Sequence, residues 1–263
     1  MPLEEIEKWF SEYVGKFSCD NAHIMKNIEL KEEHSMKVRC VIRELAIELG
    51  LTEADVELAE TIGLLHDIGR FEQFKRYGTY YDPISVDHAQ LGLDILGKEG
   101  ILSMFEPRDR SIVSDSIGHH NKASLPESME IDHLFFCRLL RDADKIDILG
   151  IVTSHYENGD DNPSLVLQLP ETPGISENVY EDIANERIVD QKNMKNVNDF
   201  KVLQMSWAFD FNFGPSMRMA LKRKYFEKLR DSLPNDVKTG RIYDIVNAHI
   251  IKKLEEQKDL YLI

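Results

Sequence analysis

The residues able to do chemistry in this chain are histidines and aspartates that fall on the apolar side of helical patterns. EEHSMKV places His34 in register with Val38, Val41, Ile42, Leu45 and Leu49, and GLLHDIGRFE at residues 63–72 ends an apolar run with His66 beside Asp67. His66 follows Ile62 by four and Ala59 by seven, so it too points inward. Further along, His88 shares a face with Leu91, Ile95 and Leu96. His120 follows Val113 and Ile117, His119 follows Ile112, and Asp144 extends the row of Phe136, Cys137 and Leu140 that Ile148 continues. Any one of these alone reads as a hydrogen-bonded core histidine or a structural ion pair. An unpaired buried carboxylate costs several kcal/mol or takes up a proton. Asp67 and Asp144 therefore each demand a cation, and one divalent metal answers for the whole set. Imidazole nitrogen with carboxylate oxygen and no thiolate suits Mn, Fe, Co, Ni or Zn better than Ca.

The elements that must position these residues are helices. Helical periodicity with capping signals runs through most of the chain, and no alternating strand pattern or internal repeat stands out, so the fold class is all-α. The pattern predicts helices over about 3–17, 31–49, 53–66, 86–97, 108–120, 129–149, 199–210, 216–231 and 239–257. Thr52 and Ser85 are candidate N-caps and Gly50 a C-cap. Residues 157–198, with ENGDDNPS and QLPETPG, are acidic and rich in Pro and Gly, with one short helix near 176–187. They read as a long excursion on a single domain spanning 1–263, either a lid or a surface insertion. WAFDFNF at 207–213 reads as core.

Composition bounds the partners. A net charge of −15 works against long nucleic acid and anionic membranes, while leaving room for a small anion where a few Lys or Arg converge. No apolar run approaches a membrane span and MPLEEIEKWF does not resemble a signal peptide, so the chain reads as cytoplasmic. Cys19, Cys40 and Cys137 form no C-x-x-C pair and read as free thiols, the latter two as core filler. Nothing in the pattern opposes a homo-oligomer.

With these residues in hand, the chain resembles the HD-domain superfamily of metal-dependent phosphohydrolases, whose pattern is an ordered His, His-Asp and later Asp on a helical core. The matching residues are His34, His66 and Asp67 in LLHDIG, and Asp144 in RDADKIDIL, and the likeness covers about residues 30–150. The additional C-terminal helices, about 199–258, lie outside it. The resemblance implies that these four bind a first metal, with Asp67 able to bridge to a second. DHAQLG and GHHNKASLP look like the segments that supply extra histidines in dinuclear branches, so His88, His119 and His120 are candidates for a second metal. One of the adjacent pair suffices as a ligand, with the other contacting substrate, and both arrangements stay open. The GYP signature of cyclic-dinucleotide phosphodiesterases is absent.

Asp142 and Asp147 flank Asp144. Asp142 lies off the apolar row, and Asp147 is better placed to accept a hydrogen bond from a ligand than to ligate, so both the pattern and the resemblance select Asp144. Cleaving a phosphate ester also needs cations against the phosphoryl oxygens. Arg70, Lys122 and Lys145 are close in sequence to the proposed ligands: Arg70 and Lys145 are the catalytic candidates with Asp67, and Arg70 and Lys122 the substrate-binding ones. FEQFKRYGTYYD reads as a loop wall. The expected activity is hydrolysis of a nucleotide or other small phosphate ester by metal-activated water, with one or two metals per chain. Two alternatives use the same residues: a di-iron oxygenase of the same fold, and a nucleotide-binding regulator that keeps its metal without turnover.

Overall fold

The structure is a computed structural model that describes residues 3–159 and 169–260, with side chains described as far as 256. Among the described residues there is no strand, in keeping with the all-α expectation. The chain resolves into two compact units, Met1–Asp147 and Ile148–Ile263.

The first unit holds every residue the sequence nominates for chemistry. Helix α1 (Leu3–Gly15) buries Ile6, Phe10, Tyr13 and Val14. Helix α2 (Ala22–Glu48) begins nine residues before the sequence pattern does, because the Asn21 side chain accepts from the His23 and Ile24 amides and caps it. Helix α3 (Glu53–Leu65) starts at the Thr52 cap, and Gly50 takes the left-handed conformation (φ 76°) that turns the chain between α2 and α3. Two residues later the chain is helical again. Helix α4 (Ile68–Tyr77) occupies the stretch read as a loop wall, and Phe71 and Phe74 are its buried face. It ends at Gly78 (φ 65°), so only residues 78–87 are loop. Helix α5 (His88–Lys98) is capped by Asp87, not Ser85, through the Ala89 and Gln90 amides. Helix α6 (Pro107–His119) and, as far as Asp147, helix α7 (Ile131–Asn158) complete the set.

Two glycines set how closely these helices cross. A Cβ on Gly69 would collide with the His88 carbonyl oxygen and stand 2.8 Å from the Gly92 amide, and one on Gly63 would stand 2.8 Å from Ile42 Cγ2. Backbones thus approach where α4 meets α5, bringing Asp67 and His88 together.

The second unit contains α8 (Glu177–Ala184), α9 (Val197–Ser206), α10 (Gly214–Lys222), α11 (Tyr225–Asp231) and α12 (Val237–Leu260). The expected helix 216–231 is two helices, broken at Lys224 (φ 57°). The excursion needs correcting where it is described: Val179, Ile183 and Val189 are wholly or almost wholly buried, so its C-terminal part is core. ENGDDNPS falls mostly outside the described residues. Ala208 and Phe211 of WAFDFNF are core. Cys137 is buried as expected, but Cys40 is exposed.

Candidate metal centre

Asp67 sits where α3 gives way to α4 and occupies the N-cap position of α4 without a capping hydrogen bond. Its carboxylate is turned instead toward four imidazoles. His34 Nε2 lies 3.2 Å from His66 Nε2, 3.2 Å from Asp144 Oδ1 and 3.4 Å from Asp67 Oδ2. His66 Nε2 stands 3.6 Å from Asp67 Oδ2 and 3.7 Å from Asp144 Oδ1. On the other side, His88 Nε2 and His120 Nε2 are 2.9 Å apart and lie 3.4 and 3.5 Å from Asp67 Oδ1. Each oxygen of Asp67 therefore faces its own group of donors.

The far nitrogen of every ring is committed. His66 Nδ1–H donates to the Gly63 carbonyl at 2.8 Å and His120 Nδ1–H to the Ile117 carbonyl at 2.7 Å. His34 Nδ1 meets Asp147 Oδ2 at 2.7 Å and His88 Nδ1 meets Asp82 Oδ2 at 2.6 Å. Carbonyls and carboxylates only accept, so in all four rings Nδ1 keeps its proton and Nε2 is the nitrogen presented to the centre, where a metal would displace any proton held there. Lone pairs facing one another at these distances repel unless a cation lies between them. Donors bound about 2.0–2.2 Å from a divalent transition metal stand roughly 3.0–3.6 Å apart, close to the 2.9–3.7 Å separations of these atoms. Asp144 Oδ1, buried and without a well-formed hydrogen bond, is a further sign that the donor set fits a metal.

Charge is tightly balanced. Burial disfavours the Asp67 carboxylate, but Lys31, His66 and the hydrogen bonds with His120 and His34 hold its pKa well below the usual range. Asp144 is likewise held low against burial by His34 and His66. Burial and Lys31 oppose protonation of His34, yet its hydrogen bonds with Asp144, Asp147 and Asp67 prevail and push it up to about 10. Burial and Arg70 push His88 down to about 3.

Of the nominated residues, the structure brings together His34, His66, Asp67, Asp144, His88 and His120. His119 is turned away: half-buried, it donates through Nδ1 to the Asp115 carbonyl at 2.9 Å, because adjacent helical residues project about 100° apart. Asp147 takes its expected place behind His34. Asp142 does not lie off the buried face as expected but is fully buried, so proximity to His34 and His66, not burial, distinguishes Asp144.

The cations are redistributed. Arg70 Nη1 donates to Gln73 Oε1 at 2.9 Å, the Tyr80 carbonyl at 2.5 Å and Asp82 Oδ1 at 2.9 Å, with Nε 3.5 Å from Asp67 Oδ1. It ties the 78–87 loop to α4. Lys122 pairs with the Asp87 carboxylate, and Asn121 beside it donates to Asp82 and Asp87. Lys145 is half-buried next to Asp144 on α7. The sequence reading missed Asp82, the acceptor behind His88, and Lys31, whose Nζ lies 2.8 Å from Asp67 Oδ2. Lys31 was legible in principle, three residues before His34 on one helical face, but its neighbours Glu29, Glu32 and Glu33 read as a solvated surface.

This order of residues agrees with a family model described as HD domain, which matches residues 32–155. The chain carries an HD domain. No curated protein and no solved structure matched the chain. The HD domain is that of a superfamily of metal-dependent phosphohydrolases, and among the described residues the His and Asp clusters could hold a divalent metal. Among the described residues no helix is long and apolar enough to cross a membrane.

Proposed function

We propose that the protein is a divalent-metal-dependent phosphohydrolase acting on a small phosphate ester, a nucleotide or a similar phosphorylated metabolite. One observation carries this reading: four imidazole Nε2 atoms converge on the two oxygens of a single buried carboxylate, two to each oxygen. His34, His66, Asp67 and Asp144 would hold one metal, and His88, His120 and the other oxygen of Asp67 a second. Metals there supply activation of water near neutral pH and neutralise charge on the phosphoryl oxygens.

The chain's own groups do the rest. Asp147, Asp82 and the Gly63 and Ile117 carbonyls hold the four rings in the tautomer that presents Nε2. Asp67 sits between the two sets and orients what binds to both. Lys145, directly after Asp144, is a candidate cation from α7. The net charge of −15 favours a small substrate over a polynucleotide.

The test is metal analysis of protein purified without chelator, then phosphate release from nucleotides and sugar phosphates with each metal restored. Release that depends on metal and disappears in Asp144→Asn is expected. No release with any of Mn, Fe, Co, Ni or Zn bound would overturn the proposal. Because the paired donor set also suits two irons, dioxygen uptake by the iron-loaded protein is the result that would favour an oxygenase.

A further inference from the structure

We infer that Lys31 is the side chain that binds the phosphoryl group of the substrate, a role its sequence position beside acidic residues hides and for which Arg70 and Lys122 are poorly disposed. The inference rests on the phosphohydrolase reading above. Lys31 lies on α2 one turn before His34, and its Nζ reaches Asp67 Oδ2, the oxygen that faces His34 and His66. Its side chain is 15% exposed, so it lies at the rim of the centre, neither in the core nor in bulk solvent.

The wall behind it is built to hold a cation there. Nζ stands 5.4 Å from the centroid of the Tyr80 ring, which is itself held by a 2.7 Å hydrogen bond from its hydroxyl to the Asn27 carbonyl and by packing on Phe74 at 4.7 Å. The Arg70 guanidinium, 5.8 Å from the same ring, is pinned through Nη1 to Gln73, Tyr80 and Asp82, which fixes the direction of its remaining donors. Lys122 spends its charge on Asp87 at the surface. Lys31 differs from both. An ammonium has three N–H donors, and the bond to Asp67 Oδ2 uses one. The other two are available to an oxygen of a phosphoryl group seated against His34, His66 and Asp144, within the rotation of the terminal bonds of the lysine stem. A compact, rotatable charge suits an oxyanion whose position shifts during reaction, whereas a guanidinium tied to a loop does not.

The experiment uses the full-length, metal-loaded protein with inorganic phosphate as the binding probe and p-nitrophenyl phosphate as the hydrolysis probe. Metal content and thermal midpoint are measured alongside. Lys31→Met should keep both of these near wild-type values. Its phosphate affinity should fall roughly ten- to a hundredfold, the scale of a charged hydrogen bond, with KM raised. Lys31→Arg should recover most of that loss. Phosphate binding by Lys31→Met equal to wild type would overturn the inference while leaving the phosphohydrolase reading intact. Loss of metal from Lys31→Met would also overturn it, showing that Lys31 serves only to balance Asp67. If metal-loaded wild type neither binds phosphate nor cleaves the ester, the phosphohydrolase reading fails and takes the inference with it.

Discussion

At Asp67 a single carboxylate is buried among four imidazoles and a lysine, and its position explains why the pair His66-Asp67 ends an apolar run. Burying such a charge costs several kcal/mol, and cationic or coordinated partners must offset that cost. This separates a ligand from a scaffold at Asp144. If Asp144 were half of a structural ion pair, Asp144→Asn would cost about 3–5 kcal/mol with or without metal. As a ligand, its replacement should in addition sharply lower metal affinity, so that most of the difference in melting midpoint between metal-loaded and chelator-treated protein disappears in the variant, whereas an ion pair alone would leave that difference unchanged. Thermal melts of both proteins with and without chelator decide between them. His88 at the start of α5 and His119 at the end of α6 offer a second comparison. His88→Ala should lower bound metal by up to one equivalent per chain, whereas His119→Ala, whose ring lies against the Asp115 carbonyl, should leave it unchanged. A metal content that falls for His119→Ala and holds for His88→Ala would reverse the assignment.

At the level of elements, the centre depends on two backbones lying closer than any side chain permits. Gly69 in α4 faces the His88 carbonyl and the Gly92 amide of α5, and even a methyl group there would collide with main-chain atoms. Overpacking of this kind costs about 1–3 kcal/mol, sometimes more. Gly69→Ala should therefore destabilise the fold on that scale in denaturant titration and, by pushing α5 away, reduce the second equivalent of metal. A variant as stable as wild type with full metal content would show that α5 can shift without disturbing the centre. Loop 78–87 acts with these helices: Asp82 joins Arg70 and Gln73 of α4 to His88 of α5, which makes it a strut, not a free wall around a ligand.

For the molecule as a whole, the two units pose different stability problems. In the first, metal and folding are linked: a ligand that binds only the native state at a hundred times its dissociation constant adds about 2.7 kcal/mol. Saturating metal should raise the melting midpoint, chelator should lower it, and Asp144→Asn should lose most of that response. In the second, the described C-terminal part of the excursion belongs to the core. Ile183 is completely buried, so Ile183→Ala should cost about 2–5 kcal/mol. An effect under 0.5 kcal/mol would restore the reading of this stretch as a surface insertion.

Helical class and the inward histidines and aspartates were legible because a 3.6-residue period ties each side chain to a face of its own helix. That rule placed His34, His66, Asp67, His88, His120 and Asp144 on the buried side, and it put Asp147 behind the ligands. It also marked the excursion's short helix near 176–187, found at Glu177–Ala184. What one helix's period does not contain is its phase against the next. The crossing at Gly69, the choice of His120 over its neighbour, the burial of Asp142 and the reach of Lys31 to Asp67 all depend on contacts between helices distant in sequence. Local pattern determined which residues face inward; only tertiary packing decided which of them meet.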